Sequence, residues 1–353
     1  MSNIYIRTLK KAEHTVFCVE NGQKTYYDSQ FNRSMPFSSG QQVKRSILDR
    51  VNYLLNLPGS PTTFIFDANN KGELKEGEVF GTCNPKHVDQ LWGGWMKAAK
   101  GGKEKTLKRR SPLSISAMRG LHPLLAGISK EDISFDRSDR ANNIIIVRDA
   151  KGNPLSEDDI ENILEGKDRS LRRKWIPDNR RANGLFVMDI AIDMRRLFSV
   201  TLNPFEPEIT KEIETQLRED GWIESENVFG PCLVAPKQIR DELIKVLASA
   251  VIDWKITSNQ SRTFSLMETL AIAISDNANS VASSIRAKLT EDDKAVPIIE
   301  EDMDNVKTFI TLPAAAHLIT KSESADALHK AKEYLINIMS AFPYEKQIEK
   351  LAP

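Results

Sequence analysis

The chain has 353 residues, enough for about two domains or one elaborated domain, and its 40% apolar and 28% charged residues exclude wholesale disorder. Its 49 basic and 49 acidic residues cancel, which excludes a simple polycation but not opposite charges segregated along the sequence. Met1 to Leu9 lacks the apolar core of a secretory leader, and no stretch approaches the roughly 18 uninterrupted apolar residues of a membrane span, so a cytoplasmic protein without membrane partners is expected.

In chain order, Ile4 to Leu9 and Thr15 to Val19 read as strand material broken near Asn21-Gly22. Ser38 or Ser39 caps a helix whose apolar residues Val43, Ile47, Val51, Leu54 and Leu55 keep helical spacing as far as Pro58. Thr63 to Phe66 is a short strand. From Gly72 to about Ala141 there is little regular signal beyond a short helix near Val88 to Ala99, and the region reads as an insertion with long loops. Asn143 to Arg148 is expected as a strand, and a helix starts at Ser156-Glu157-Asp158-Asp159. Gly184 to Asp193 carries the strongest strand pattern. Helices follow at Pro207 to Asp220 and Pro236 to Ala250, strands at Thr269 to Ile274 and Phe309 to Leu312, and an amphipathic helix at Ser324 to Phe342. The alternation indicates an α+β or α/β fold.

The charges come in blocks. Lys97 to Arg110 holds seven basic residues against Glu104 alone, a net charge of +6, and Lys167 to Arg181 holds seven against two, a net +5. Both blocks read as loops, because glycines accompany the first and flank the second, which also contains Pro177 and Trp175. Acidic residues collect at Glu206 to Glu226 and Glu291 to Asp304. Two arginine-containing basic loops in a neutral chain point to a polyanion, since the guanidinium fork binds phosphate bidentately and stacks on bases.

No Walker loop, dinucleotide fingerprint, H-E-x-x-H or G-x-S-x-G element occurs. Cys18, Cys83 and Cys232 are odd in number and far apart, which suits a reducing compartment, and Pro85 between Cys83 and His87 argues against a helical ligand pair. No metal and no cofactor are expected. Asp67 reads as a turn former, whereas Asp28, in the loop before the first helix, is the leading acid for RNA cutting. At the helix start, the hydroxyls and amides of Ser38, Ser39, Gln41 and Gln42 form an anion site to which Lys44 and Arg45 add charge.

At this segment the sequence resembles the backbone subunit of CRISPR-associated Cascade-type complexes, the Cas-seven family with its DevR-like branch. Phe37-Ser38-Ser39-Gly40-Gln41-Gln42-Val43-Lys44-Arg45-Ser46-Ile47 is similar to that family's S-S-Q-x-x-K-R-A-I element, with Gly40 as an extra residue. Arg110-Ser111-Pro112-Leu113-Ser114-Ile115-Ser116 resembles its R-S-P-L-x-V-S loop, and Gly184 to Asp193 followed by Arg195-Arg196-Leu197 resembles its G-x-F-x-Y-x-V-A-I-D-L-x-R-L strand. Ser261-Arg262-Thr263-Phe264 sits where the family has G-x-x-x-A-R-x-x-F, although Ser258-Asn259-Gln260 replaces the glycine-rich lead. The resemblance spans about residues 1 to 280.

The resemblance implies an α+β chain with an RRM-like, ferredoxin-like palm carrying inserted finger and thumb segments. Residues 1–70 form the first part of the palm with the phosphate-gripping helix, 71–141 a finger-like insertion, 142–200 palm strands with a basic thumb at 167–184, 201–280 the rest of the palm, and 281–353 a C-terminal extension and helix. It also implies polymerisation along a CRISPR guide RNA, with the thumb of each copy reaching over its neighbour. Partners are then the guide RNA, target DNA or RNA through pairing, further copies of the chain and other Cascade-type subunits. Together with the basic blocks, the implied RNA contacts are Ser38, Ser39, Gln41, Gln42, Lys44, Arg45, Lys108, Arg109, Arg110, Ser111, Arg169, Arg172, Arg173, Lys174, Trp175, Arg180, Arg181 and Arg262. The first reading is a non-enzymatic scaffold of a type I complex. A type III-like subunit cutting target RNA through Asp28, and a soluble interaction protein without nucleic acid, are the alternatives.

Overall fold

The structure, a computed structural model, describes residues 2–17, 23–75, 77–99, 105–136, 143–167, 170–256 and 264–348. The chain opens with one unbroken strand, β1 (Asn3–Thr15), and then a hairpin of β2 (Thr25–Asp28) and β3 (Arg33–Ser38). Helix α1 (Gly40–Leu55) follows, and its spacing buries Val43, Ile47 and Val51 as the periodicity predicts. An exposed hairpin, β4 (Thr62–Ile65) and β5 (Glu78–Gly81), precedes the short α2 (Val88–Gly93) and a second hairpin, β6 (Trp95–Lys97) and β7 (Leu107–Arg109). Then come β8 (Leu113–Ile115), β9 (Met118–Gly120), β10 (Ala126–Asp136), α3 (Glu157–Leu164) and the 21-residue β11 (Arg173–Asp193). Strands β12 (Ser199–Thr201), β13 (Ile223–Asn227) and β14 (Gly230–Val234) form a small sheet, with α4 (Lys211–Glu219) inserted after β12. The remainder is α5 (Lys237–Asp253), β15 (Glu268–Ser275), α6 (Ala278–Ser284), the hairpin β16 (Ile285–Leu289) and β17 (Ala295–Ile299), β18 (Lys307–Thr311), β19 (Glu323–Ser324) and α7 (Ala327–Ser340).

The fold is α+β around a mixed ten-stranded sheet, in order β19-β18-β15-β1-β11-β9-β3-β2, with β8 and β10 also paired to β11. Its pairings are antiparallel except β18 with β19. Strand alternation sends Ile4, Ile6 and Ala12 of β1 into the larger core, which α1, α5 and α7 also enter, and sends Leu9 to a smaller core on the other face with Val281, Ile285 and Ile310. Because both faces are covered, β15 is buried from Thr269 to Ser275, which explains its continuous apolar run.

β11 has one edge on β1 but changes partners along the other. Ile190 to Ile192 face β8, Phe186 and Val187 face β9, and Gly184 back to Arg173 face β10. Beyond Ala182 the β10–β11 pair runs on without β1 as a two-stranded arm, about 30 Å long at roughly 3.3 Å per residue. Gly184 stands where the partner changes. Its φ is +116°, and a Cβ there would lie 2.3 Å from the Leu125 carbonyl oxygen.

Several expectations are corrected. The described part of the second basic block, from Arg173 onward, is strand and not loop, because Arg173–Arg181 pairs with β10. Ala126–Asp136, expected within an irregular insertion, is a strand, while Trp92 and Trp95 of the same insertion are buried in the main core. The helix expected to Ala99 ends at Gly93, and the chain continues as β6. Asn143 to Arg148 forms no strand among the described residues: it has β-favouring residues but makes an isolated bridge, Arg148 with Pro154, and Ile144 is 88% exposed. The hairpins β13–β14 and β16–β17 were not anticipated. The expected break near Asn21-Gly22 lies outside the described residues.

Placing a side chain at Gly184 forces it against backbone in an unfavourable φ region. Gly184→Ala is therefore expected to cost at least about 2 kcal/mol in urea unfolding, and an unchanged midpoint would show that the crossing of β10 over β11 is looser than described.

Candidate nucleic-acid interface

Ser39 caps α1 as expected, its hydroxyl accepting the Gln42 amide at 3.3 Å. Gly40 is no idle insertion. A Cβ there would sit 2.6 Å from the Ile115 carbonyl oxygen, so glycine lets the helix start lie directly on the end of β8. The two segments that carry the sequence resemblance thus meet. Lys44 Nζ donates to Ser111 Oγ at 2.6 Å and to the Gly93 carbonyl at 2.9 Å, and Ser111 Oγ also lies 2.7 Å from the carbonyl oxygens of Trp92 and Leu113.

Lys44 is consequently a brace between helix and loop, rather than a free phosphate ligand. Burial among neutral oxygens lowers its pKa to about 8. Arg45 is exposed and ion-paired with Asp49 at 2.7 Å, Gln41 is exposed, Gln42 is half-buried, and Ser38 is fully buried with an unpartnered hydroxyl. Of the helix-start residues, Arg45 and Gln41 face solvent.

The first basic block divides by strand parity. In β7 and the residue after it, Lys108 and Arg110 point outward and Arg109 points inward. Arg109 is 3% exposed, and its guanidinium donates to Glu208 at 2.8 Å and to the carbonyls of Leu91, Ser199 and Arg196 at 3.0, 2.6 and 2.8 Å. Burial lowers its pKa and the Glu208 carboxylate opposes that shift. Its expected place on the RNA surface is corrected: a guanidinium with all these acceptors inside the core has no edge left for phosphate.

Outside it lies a groove of about 680 Å³ where Lys105, Lys108 and Arg110 meet Arg196, Phe205 and Phe229. Arg196 stacks over Phe229 at 3.7 Å and Lys105 lies 5.8 Å from the Phe205 ring centre. Glu208 restrains Arg196 at 3.7 Å from beneath. Cations interleaved with exposed aromatic rings are the chemistry that single-stranded nucleic acid uses, phosphates on the cations and bases on the rings. Arg196, quoted in the resembling strand motif, was not counted among the RNA contacts, and Phe205 and Phe229 were not singled out, since they are far from the basic block along the chain.

The arm supplies a second cationic surface. Lys174 and Arg180 are exposed, whereas Arg181 is buried on Glu131 at 2.8 Å and Arg173 is paired with Asp136 at 2.8 Å while lying 5.6 Å from the exposed Trp175 ring. Arg172 is exposed. Arg169 and Arg262 lie outside the described residues. Sequence reading also missed Arg119 of β9, whose half-exposed side chain reaches Asp189, itself bound by Arg7 at 2.6 Å. Asp28 closes the β2–β3 turn by accepting the Phe31 amide at 2.9 Å, and the ring of His122, edge-to-face with Phe31, accepts the Leu124 amide.

Among the described residues, no group of three or more His, Cys, Asp or Glu side chains is placed to hold a metal ion, and no helix is long and apolar enough to cross a membrane. No protein-family model and no curated protein matches the chain. Solved structures do. A chain of a CRISPR RNA-guided surveillance complex in a pre-nicking state is similar over 95% of this chain and 89% of its own, at 10% identity and a TM-score of 0.47. A chain of another CRISPR RNA-guided surveillance complex is similar over 96% of this chain and 98% of its own, at 13% identity and a TM-score of 0.42.

The Lys44 environment has a measurable consequence. Its folded pKa, about 8, lies below the unfolded value near 10.4, so between those values the unfolded chain binds more protons and stability rises with pH. Relative to Lys44→Met, the wild type is expected to gain up to about 1 kcal/mol from pH 8 to pH 10 in thermal or urea unfolding. Parallel profiles would show that the ammonium is not buried as described.

Proposed function

We propose that this chain is the guide-RNA-binding backbone subunit of a type I, class 1 CRISPR effector complex, a member of the Cas-seven family in its DevR-like branch, and that it is a scaffold without catalytic activity of its own. The observation that carries the reading is the contact between α1 and the Arg110–Ser116 loop through Lys44 and Ser111, which brings together two separate resembling segments beside the cation and aromatic groove. An RRM-like palm is supported by the adjacent order β15-β1-β11-β9, the split βαβ arrangement, with α1 and α5 packed together on one face.

In this function the groove holds the RNA backbone on Lys105, Lys108 and Arg110 and offers Phe205 and Phe229 to bases. Such contacts carry little sequence information, as a subunit that must accept any guide requires. The arm carries Lys174, Arg180 and Trp175 beyond the sheet, toward a neighbouring copy on the same RNA. The non-catalytic reading is favoured over RNA cutting because Asp28 Oδ1 is occupied in closing a hairpin turn and the nearby His122 ring accepts a backbone amide.

Lys108→Glu combined with Arg110→Glu is expected to weaken single-stranded RNA binding at least about tenfold near 0.15 M salt and to reduce the salt slope by about 1.4, for two lost phosphate contacts. Asp28→Ala in the same assay leaves bound RNA uncut, as does the wild type. Equal affinity and slope in the charge-reversed protein would refute the groove as the RNA site.

Because β11 runs from arm into sheet, excising 167–184 would remove buried Arg181 and Ala182 from the fold. The informative deletion replaces 132–178 by an Asn-Gly turn between the cross-strand partners Glu131 and Asn179. The product is expected to unfold cooperatively and bind RNA through the groove, yet to form no ordered multi-copy particle in electron micrographs. Normal particles would show that the arm is not what joins copies.

A further inference from the structure

Helix α3, which lies between the two strands of the arm in sequence, has an amphipathic pattern that the described residues leave without a fully buried position. Ile160, Ile163 and Leu164 follow i, i+3, i+4 spacing, while Glu157, Asp158, Asp159 and Glu161 surround them with negative charge. No residue of the helix is buried, and Ile163 is 46% exposed. Eight residues are fewer than the roughly 12–15 that hold a helix in water without tertiary support. Ser156 caps it, accepting the Asp159 amide at 3.2 Å, and Leu155 is tied to Val147 at 2.8 Å beside the exposed Ile144 and Ile146. The segment between the arm strands therefore carries an acidic, apolar head.

The body of the same chain carries a groove of the opposite character. Between the β6–β7 hairpin and α4 lies a cleft of about 480 Å³ with Leu107, Leu202 and Ile209 along its wall and Lys97, Lys105 and Lys211 at its rim. The one acid there, Glu214, is already ion-paired with Lys211 and Arg218. It is distinct from the RNA groove, with which it shares Lys105, Thr201 and Asn203.

We propose that α3 of one copy seats in this groove of the next copy, its apolar stripe on Leu107, Leu202 and Ile209 and its carboxylates beside Lys97 and Lys211. The inference rests on the reading that copies assemble along RNA, and it names the contact that joins them. Head and groove are different patches, so the interface is heterologous, and each addition leaves one free head and one free groove to propagate the array. The apolar contact provides affinity and the opposed charges fix orientation. The mode is that of an amphipathic helix laid in an apolar groove.

The test uses the full chain on a single-stranded RNA long enough for several copies, with particle mass read by sedimentation. Glu157→Lys with Glu161→Lys on the helix, or Lys97→Glu with Lys211→Glu on the rim, is each expected to weaken multi-copy assembly about tenfold or more, and combining all four restores it. All four side chains are exposed, so the variants fold. Independently, Ala98→Cys and Ile163→Cys in separate molecules are expected to join through a bismaleimide only when RNA is present. Assembly that ignores both reversals and yields no crosslink would overturn the helix contact while leaving assembly on RNA standing. A wild type that stays single on RNA would overturn the assembly reading and this inference with it. If the rim reversal alone lowers RNA affinity of single copies, and the helix reversal neither weakens assembly nor rescues, the groove holds RNA and the proposal fails.

Discussion

The buried guanidinium of Arg109 is the interaction around which the candidate interface is organised. It reaches the end of α2 through Leu91, the turn after β11 through Arg196, the small sheet through Ser199, and the segment before α4 through Glu208. Four pieces of chain converge on one planar cation. An ion pair taken out of water is a costly way to hold a core unless its donors find partners, and here three carbonyls and Glu208 take four of the five N–H donors. What this arrangement secures is placement. With Arg109 fixed inward, strand geometry turns Lys108 and Arg110 outward, and the same Glu208 that neutralises Arg109 also holds Arg196 beneath its stack on Phe229. The basic groove is therefore the outer face of a buried charge cluster, and its rigidity comes from the core.

β11 solves a second problem, that of projecting an arm without a hinge. A loop insertion would leave the far end free to swing, whereas a continuous strand transmits the orientation of the sheet to the arm. Gly184 permits this by letting β10 approach at a φ that other residues rarely adopt. The pairs Arg181 with Glu131 and Arg173 with Asp136 then tie the two arm strands together across the ladder. Half of the basic block at the arm is thereby used in holding the arm in shape, and the other half, Lys174 and Arg180, remains at its surface.

Sequence reading recovered the elements whose burial imposes a period. α1 from its Ser39 cap to Leu55, α5, β15 and the last helix all lie where their apolar spacing placed them. It failed where structure arises from pairing alone. Ala126–Asp136, Ala-Gly-Ile-Ser-Lys-Glu-Asp-Ile-Ser-Phe-Asp, has no clean alternation of apolar and polar residues, and its pairing with β11 is what defines it as a strand. The opposite error came at Asn143 to Arg148, whose isoleucines have strand propensity but whose pairing is limited to an isolated bridge of Arg148 with Pro154. For the site, the basic block was visible but its sorting was not. Adjacent arginines look alike in sequence, and only the strand's parity and the distant Glu208 separate the structural Arg109 from the exposed Arg110.

Zero net charge acquires a meaning from this sorting. If the 49 cations and 49 anions were mixed evenly, the surface would have little field beyond a Debye length of about 8 Å and would neither attract RNA nor orient a second copy. Instead one acid, Glu208, is drawn inward under Arg109 and Arg196, others stand on α3, and cations left on the body form grooves. Segregation of this kind gives a neutral chain local fields of both signs, which a net charge of zero does not reveal.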